Sequence, residues 1–255
     1  MPVTLQQIEE GISALIVSRP QVRNALDWQA MDDFAAAVKR AHDDKSLRAL
    51  IVTGEGDVFI AGGDLKALHG SSTVEDGWLL SRKMTNALNH LEALPCPVIA
   101  AINGPARGGG GEIALACDLR VVAADANLGF VQVTLGLIPG WGGGQRLLRL
   151  VGYSRALELL LTGRILNAQE MLAIGLANQV APAGEAYLQA VELARTIGAN
   201  PPEAVMANKR LLRAGITMSS TTAAAHEQSE FPALWASDAH QQAVKNWFQR
   251  RNVKP

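Results

Sequence analysis

Through residues 1–199 the sequence alternates short β-rich runs with amphipathic helical segments, and this alternation limits the possible folds more than any other feature. "EGISALIVSRP" (10–20), "LRALIVTGEG" (47–56), "PCPVIAAING" (95–104) and "LRVVAADANLGF" (119–130) read as strands closed by glycine or proline turns. Between them, "NALDWQAMDDFAAAVKRAHDD" (24–44) sets Leu26, Met31, Phe34, Ala35 and Val38 at helical spacing, with Asp27 as N-cap. "GWLLSRKMTNALNHLEAL" (77–94) sets Leu80, Met84, Leu88 and Leu91 on one stripe. "DVFIAGGDLKAL" (57–68) repeats the scheme: strand, glycine turn, helix start at Asp64. Such alternation predicts an α/β fold with parallel strands joined by crossover helices.

Later segments are helical: "GGGQRLLRLVGYSRALELLLTG" (142–163), and "NAQEMLAIGLANQV" (167–180) ended by Gly175. The strands stop at Pro201-Pro202, and "PEAVMANKRLLRAG" and "DAHQQAVKNWFQRR" beyond it are helical. We expect a core over 1–199 and a helical region over 200–255. "HGSSTVEDGW" (69–78), rich in Ser, Thr, Asp and Gly, reads as a loop.

Hydrophobic residues make up 48% of the 255, enough for a sizeable core. The charged share, 18%, allows either surface buried between subunits or a weakly charged monomer. A net charge of −1 provides no field for nucleic acid or an anionic membrane, so neither is an expected partner. No run approaches the roughly eighteen apolar residues of a membrane span. The first residues, "MPVTLQQIEEGISAL", lack the basic-then-apolar order of a signal peptide. Cys96 and Cys117 make no disulfide framework and read as buried thiols, so a cytoplasmic setting is expected.

Two glycine segments stand between a strand and a helix: Gly62-Gly63, and Gly108 to Gly111. Glycine lets backbone N–H groups approach an anion or a polarised oxygen, and a helix dipole adds positive potential there. Donors from both segments converging on one oxygen would make an oxyanion hole. Close packing at a strand–helix turn explains the same glycines, and the sequence leaves both readings open. Neither segment has the Gly-x-Gly-x-x-Gly or Gly-Lys-Ser/Thr spacing of a nucleotide loop. Ser154 in "GYSRA" lies inside a helical pattern and reads as structural. His42, His69, His90, His226 and His240 show no metal-ligand spacing, so no metal is expected. Glu112 follows the second glycine run and precedes apolar Ile113, Ala114, Leu115 and Ala116. Burial raises a carboxylate pKa and a helix N-terminus opposes the rise, which suits a proton carrier. A helix-start glutamate capping its own amides is the alternative.

Taken together, "RPQVRNAL" (19–26), "FIAGGDLKAL" (59–68), "PCPVIAAINGPARGGGGEIALACDLRVV" (95–122), "LGLIPGWGGGQRLLRLVG" (135–152) and "LTGRILNAQEMLAIGLANQV" (161–180) resemble the crotonase family, the enoyl-CoA hydratases and isomerases. The resemblance implies a crotonase-like ββα spiral. Its C-terminal helical region would pack into homotrimers, often paired as dimers of trimers. It implies a lyase acting on a coenzyme A thioester, with no cofactor beyond the coenzyme A of the substrate. The N–H groups of Gly63 and Gly109 would hold the thioester oxygen and Glu112 would move the proton. Gly140 would help place the water. Coenzyme A would lie along "RNAL" and "AGGDLK", at Ala25, Ala61, Asp64 and Leu65, with Arg23 and Lys66 toward its phosphates; Lys66 also suits a solvated surface charge.

The sequence departs from the family at the second catalytic glutamate, which is Gln132 here. An amide orients water but exchanges no proton at neutral pH. Water addition to a 2-enoyl-CoA is the first expectation. Other enolate chemistry (isomerisation, thioester hydrolysis, decarboxylation) and acyl-CoA binding without turnover stand as alternatives. Trp78 and Trp141 line the acyl channel or pack the core. Phe231, Trp235, Trp247 and Phe248 are expected at subunit contacts.

Overall fold

The computed structural model describes residues 1–70 and 72–250, the side chain of Arg250 excepted, and divides into two compact units, Met1–Ile197 and Gly198–Pro255. The chain begins with β1 (Val3–Glu9), β2 (Ile12–Val17), α1 (Trp28–Asp43) and β3 (Ala49–Gly54). Next come α2 (Leu65–Leu68), α3 (Val74–Glu92), β4 (Val98–Ile102), β5 (Ala106–Arg107) and α4 (Gly109–Ala116). They are followed by β6 (Leu119–Ala123), β7 (Asn127–Gly129), α5 (Gly143–Val151), α6 (Tyr153–Thr162), β8 (Ile165–Asn167), α7 (Ala168–Ala173), β9 (Gln179–Ala181) and α8 (Ala186–Gly198).

The main sheet has six strands in the order β1-β2-β3-β4-β6-β9. All neighbours run parallel except the β1–β2 hairpin. Its central strands are apolar on both faces because both faces are covered: β3 and β4 are buried at every position. The edge strand β1 buries only Val3 fully, so its polar sequence carried no strand signal. A second sheet, β5-β7-β8, is short and mixed. The architecture is the α/β class that the alternation predicts.

Helix α1 buries Ala30, Met31, Phe34, Ala37, Val38 and Ala41 on one stripe, and Asp27 caps it by accepting from Ala30 N at 2.8 Å. Two local readings need correction. Residues 57–60 form no strand; their one ladder contact is an isolated bridge from Ile60 to Ala106. Part of the segment read as a loop is helix: α3 starts at Val74, because Thr73 and Asp76 make a reciprocal capping box.

The second unit consists of α9 (Pro202–Thr217), α10 (Ser220–Trp235) and α11 (Asp238–Arg250). Helices α9 and α10 pack together, and Arg210 pairs with Glu230 at 2.7 Å between them.

Candidate active site

The glycine run that ends in Glu112 is itself the first turn of α4. Gly108, before it, has φ 50°, a left-handed conformation that side chains disfavour, and the first helical bond is Glu112 N to Gly108 O at 3.2 Å. The N–H groups of Gly109, Gly110 and Gly111 therefore have no acceptor within the helix. Each of these glycines also faces a close neighbour. A Cβ on Gly109 would lie 2.2 Å from Trp141 Cζ3, one on Gly110 1.8 Å from the Ile60 carbonyl oxygen, and one on Gly111 2.9 Å from Phe130 Cε1. Packing and amide presentation are thus one arrangement here, because the packing fixes where the amides point.

The Gly62-Gly63 turn meets this run. A Cβ on Gly62, whose φ is 91°, would stand 3.0 Å from the Gly109 nitrogen. Leu26 N donates to Gly62 O at 2.7 Å and Asp64 N donates to Leu26 O at 2.9 Å. These bonds use the groups flanking Gly63, so in extended backbone the Gly63 N–H turns away from Leu26. Arg19 fastens the turn. Its guanidinium pairs with Asp27 at 2.6 Å and Asp64 at 3.3 Å and also donates to Ala25 O. Asn24 is fully buried, donating to the carbonyls of Glu55, Val58 and Phe59 and accepting from Arg19 N. Its amide, rather than a strand ladder, satisfies the carbonyls of the segment before the turn.

Glu112 is 2% exposed. Its Oε2 accepts from Trp141 N and Gly143 N, both at 2.8 Å, and its Oε1 accepts from Gln132 Nε2 at 3.1 Å. Burial pushes its pKa above the ordinary carboxylate value, and the N–H donors of Gly143 and Trp141, the Gln132 amide and the Gly140 amide pull against that rise. Desolvation is the larger effect, so the folded protein holds this proton more tightly than an exposed carboxyl would. The acid caps the turn before α5 rather than its own helix. Gly143 makes room for it: a Cβ there would lie 2.5 Å from Glu112 Cγ. Gln132 spends its amide nitrogen on Glu112, and its buried Oε1 has no partner among the described residues. An unpaired buried acceptor is costly, and it favours a ligand that brings a donor.

The turn carrying Trp141 is held from two sides. Ser81 Oγ on α3 donates to Gly140 O at 2.6 Å, and Arg146 Nη1 donates to Trp141 O at 3.0 Å. Arg146 is itself buried and pairs with Glu92 at 3.0 Å and Asn89 at 2.7 Å. These contacts are absent from the sequence reading. A signal existed: Gly142, Gly143 and Gly144 before a helix repeat the pattern at Gly108 to Gly111.

The structure brings Gly63, Gly109, Glu112, Gln132 and Gly140 into one neighbourhood through these contacts. Ala61 N donates to Arg23 O at 3.2 Å, which joins the two segments expected along coenzyme A. Ala25 and Asp64 are buried there, whereas Arg23, Leu65 and Lys66 are exposed. Arg107 sits beside Arg23, and burial and that neighbouring charge lower its pKa. Trp78 is solvent-exposed on α3, while Trp141 is buried against the glycines. Among the described residues no group of three His, Cys, Asp or Glu side chains is placed to hold a metal ion.

A family model described as enoyl-CoA hydratase/isomerase matches residues 7–254. The chain belongs to this family. It is 34% identical to the short-chain-enoyl-CoA hydratase of Clostridium acetobutylicum, over 96% of this chain and 94% of that protein. It is 35% identical to the crotonyl-CoA hydratase of Syntrophomonas wolfei, with the same coverage. The crystal structure of an enoyl-CoA hydratase from Bacillus anthracis superposes with a TM-score of 0.93 at 32% identity, covering 100% of this chain and 98% of that one. The fold is therefore the crotonase spiral that the motifs imply, with its helical C-terminal region.

Proposed function

We propose that this member of the family adds water across the double bond of a 2-enoyl-CoA, with Glu112 as the one carboxylate that moves protons. The observation that carries the reading is Glu112 itself: buried, held by three N–H donors, and one turn of helix away from the amides of the glycine run. The thioester oxygen accepts from Gly63 N–H and Gly109 N–H, which stabilise it as it gains electron density; each such donor is worth about 10²–10³ in rate. Glu112 takes a proton from the water as its oxygen bonds to C3. The C2–C3 π electrons shift toward the thioester oxygen, and Glu112 returns the proton to C2 as the enolate collapses. Gln132 Oε1 accepts a hydrogen bond from the same water, which gives that orphaned atom its partner.

One observation favours a second reading, a thioester-binding protein or a different enolate reaction: the residue opposite Glu112 is an amide. The experiment is a panel of enoyl-, 3-enoyl- and malonyl-type thioesters, with products read by mass spectrometry. Hydration predicts a product heavier by one water, and Glu112→Gln lowers that rate by about 10²–10⁴. Full activity in Glu112→Gln removes the acid from the mechanism, and binding without turnover favours the second reading.

Coenzyme A is expected along the Arg23–Ala61 junction, where Arg23 and Arg107 form a local positive site. We assign the C-terminal helices to packing in a homotrimer or dimer of trimers, supported by the exposure of Phe231, Trp235 and Trp247; Phe248 is half-buried. A cytoplasmic setting accords with the burial of Cys96 and Cys117.

A further inference from the structure

We infer that the indole of Trp141 sets the acyl size this site accepts and restricts it to short, unbranched enoyl groups; the inference rests on the hydratase reading. With the thioester oxygen between the Gly63 and Gly109 amides, the acyl α-carbon lies only two bonds from that oxygen. Whatever lines those two glycines therefore lines the start of the acyl chain. One ring lines both. Trp141 Cζ3, Cη2 and Cε3 lie 2.2–2.6 Å from where a Gly109 Cβ would be, and Cζ2 lies 3.9 Å from the same point on Gly63. Leu68 Cδ1, 3.0 Å from the Gly63 Cβ position, adds a second apolar wall.

The ring is a fixed wall rather than a swinging gate. Its residue is 5% exposed. The main chain is tied on both sides, by its N–H to Glu112 at 2.8 Å and by its carbonyl to Arg146 at 3.0 Å. Moving the backbone to clear space would release the carboxylate that the reaction needs. A longer or branched chain must therefore bend past the indole or lose its grip on the two amides.

The test compares wild type, Trp141→Ala and Trp141→Phe. Either substitution keeps the main-chain N–H that holds Glu112. Hydration of crotonyl-, hexenoyl- and decenoyl-CoA gives kcat/KM, and calorimetry of butanoyl- and decanoyl-CoA reads chain length without turnover. One methylene mismatched to a pocket is worth about 10–200-fold, so wild type should favour crotonyl- over decenoyl-CoA by at least about a hundredfold. Trp141→Ala should narrow that ratio by at least about tenfold, with Trp141→Phe between. The calorimetric ratio should move the same way. If Trp141→Ala does not fold, Trp141→Phe carries the comparison. A preference for long chains in wild type overturns the inference, as does a ratio unchanged in both measurements. Absent hydration with a shifted calorimetric ratio sinks the hydratase reading and leaves the role of Trp141 standing.

Discussion

At the Gly62-Gly63 turn a main-chain amide is positioned by charge; at Gly108 to Gly111 the same kind of group is positioned by volume. In the first, Arg19 bridges Asp27 and Asp64, Asn24 gathers three carbonyls, and the helix that follows has only four residues. In the second, backbone or aromatic rings press on Gly109, Gly110 and Gly111, and the eight-residue helix that they begin is buried throughout. A polar clamp leaves Gly63 room to adjust when a neighbour changes, even though backbone closes in on Gly62 beside it. A sterically closed turn does not, because interiors at crystal-like density respond to a single added methyl. One side of the site is therefore compliant and the other rigid, and Glu112, the proposed proton carrier, belongs to the rigid side.

The sharpest way to break this contrast is Gly110→Ala. The added Cβ would meet the Ile60 carbonyl at 1.8 Å, and backbone has no cheap way to retreat. We expect a loss of about 3 kcal/mol or more in urea unfolding, together with loss of activity. A variant as stable as wild type would mean that the rigid side is not rigid.

Next in size is Arg19→Met, which keeps the unbranched stem of the side chain and removes the clamp. Its ion pairs are largely shielded but not sealed, so the loss should fall between the surface and buried cases, about 2 kcal/mol. Because the Gly63 amide loses its support while Glu112 keeps all its donors, kcat should fall about tenfold, part of what losing a whole donor costs. Unchanged turnover would show that charge does not position that amide. Gly63→Ala should do least to the fold. Its Cβ would crowd the end of Leu68, 3.0 Å away, which can rotate, and would meet Trp141 at an ordinary contact distance of 3.9 Å, so the expected loss is under about 1 kcal/mol. Equal losses in Gly63→Ala and Gly110→Ala would erase the distinction between the turns.

The same contrast explains what the sequence makes legible. Helices α1 and α3 and the central strands announce themselves because burial on one stripe, or on both faces of a sheet, leaves a periodic or continuous apolar pattern. Edge strand β1 does not, because most of its side chains meet solvent. Residues 57–60 mislead because Phe59 and Ile60 are buried without a ladder, their neighbouring carbonyls being satisfied by Asn24. In the site, an acid beside apolar residues marks Glu112, and the family motif marks Gln132 as a departure. The main-chain partners of Glu112 are hidden because they lie 29 and 31 residues away. Periodicity reports which face a side chain takes; it says nothing of which distant amide arrives there.

The smallest effect tests the rigid side without adding an atom. In Glu112→Gln the new amide oxygen can accept from Trp141 N and Gly143 N. Rotating the Gln132 amide then offers its orphaned Oε1 to the new nitrogen. The fold should therefore tolerate the change, and the pH dependence of stability becomes informative. Burial holds the Glu112 pKa above its ordinary value near 4.5. Below that value the residue is neutral in both folded and unfolded chains, and the two proteins should melt alike. As pH climbs from the ordinary to the raised value, the unfolded wild type gives up a proton that the folded form keeps, so wild type loses stability. The variant has no such proton, so the difference in Tm, variant minus wild type, should open from near zero in acid to a positive plateau at higher pH. A variant less stable than wild type at neutral pH would mean that the donors around Glu112 outweigh its burial, and that the site holds a carboxylate more readily than a carboxylic acid.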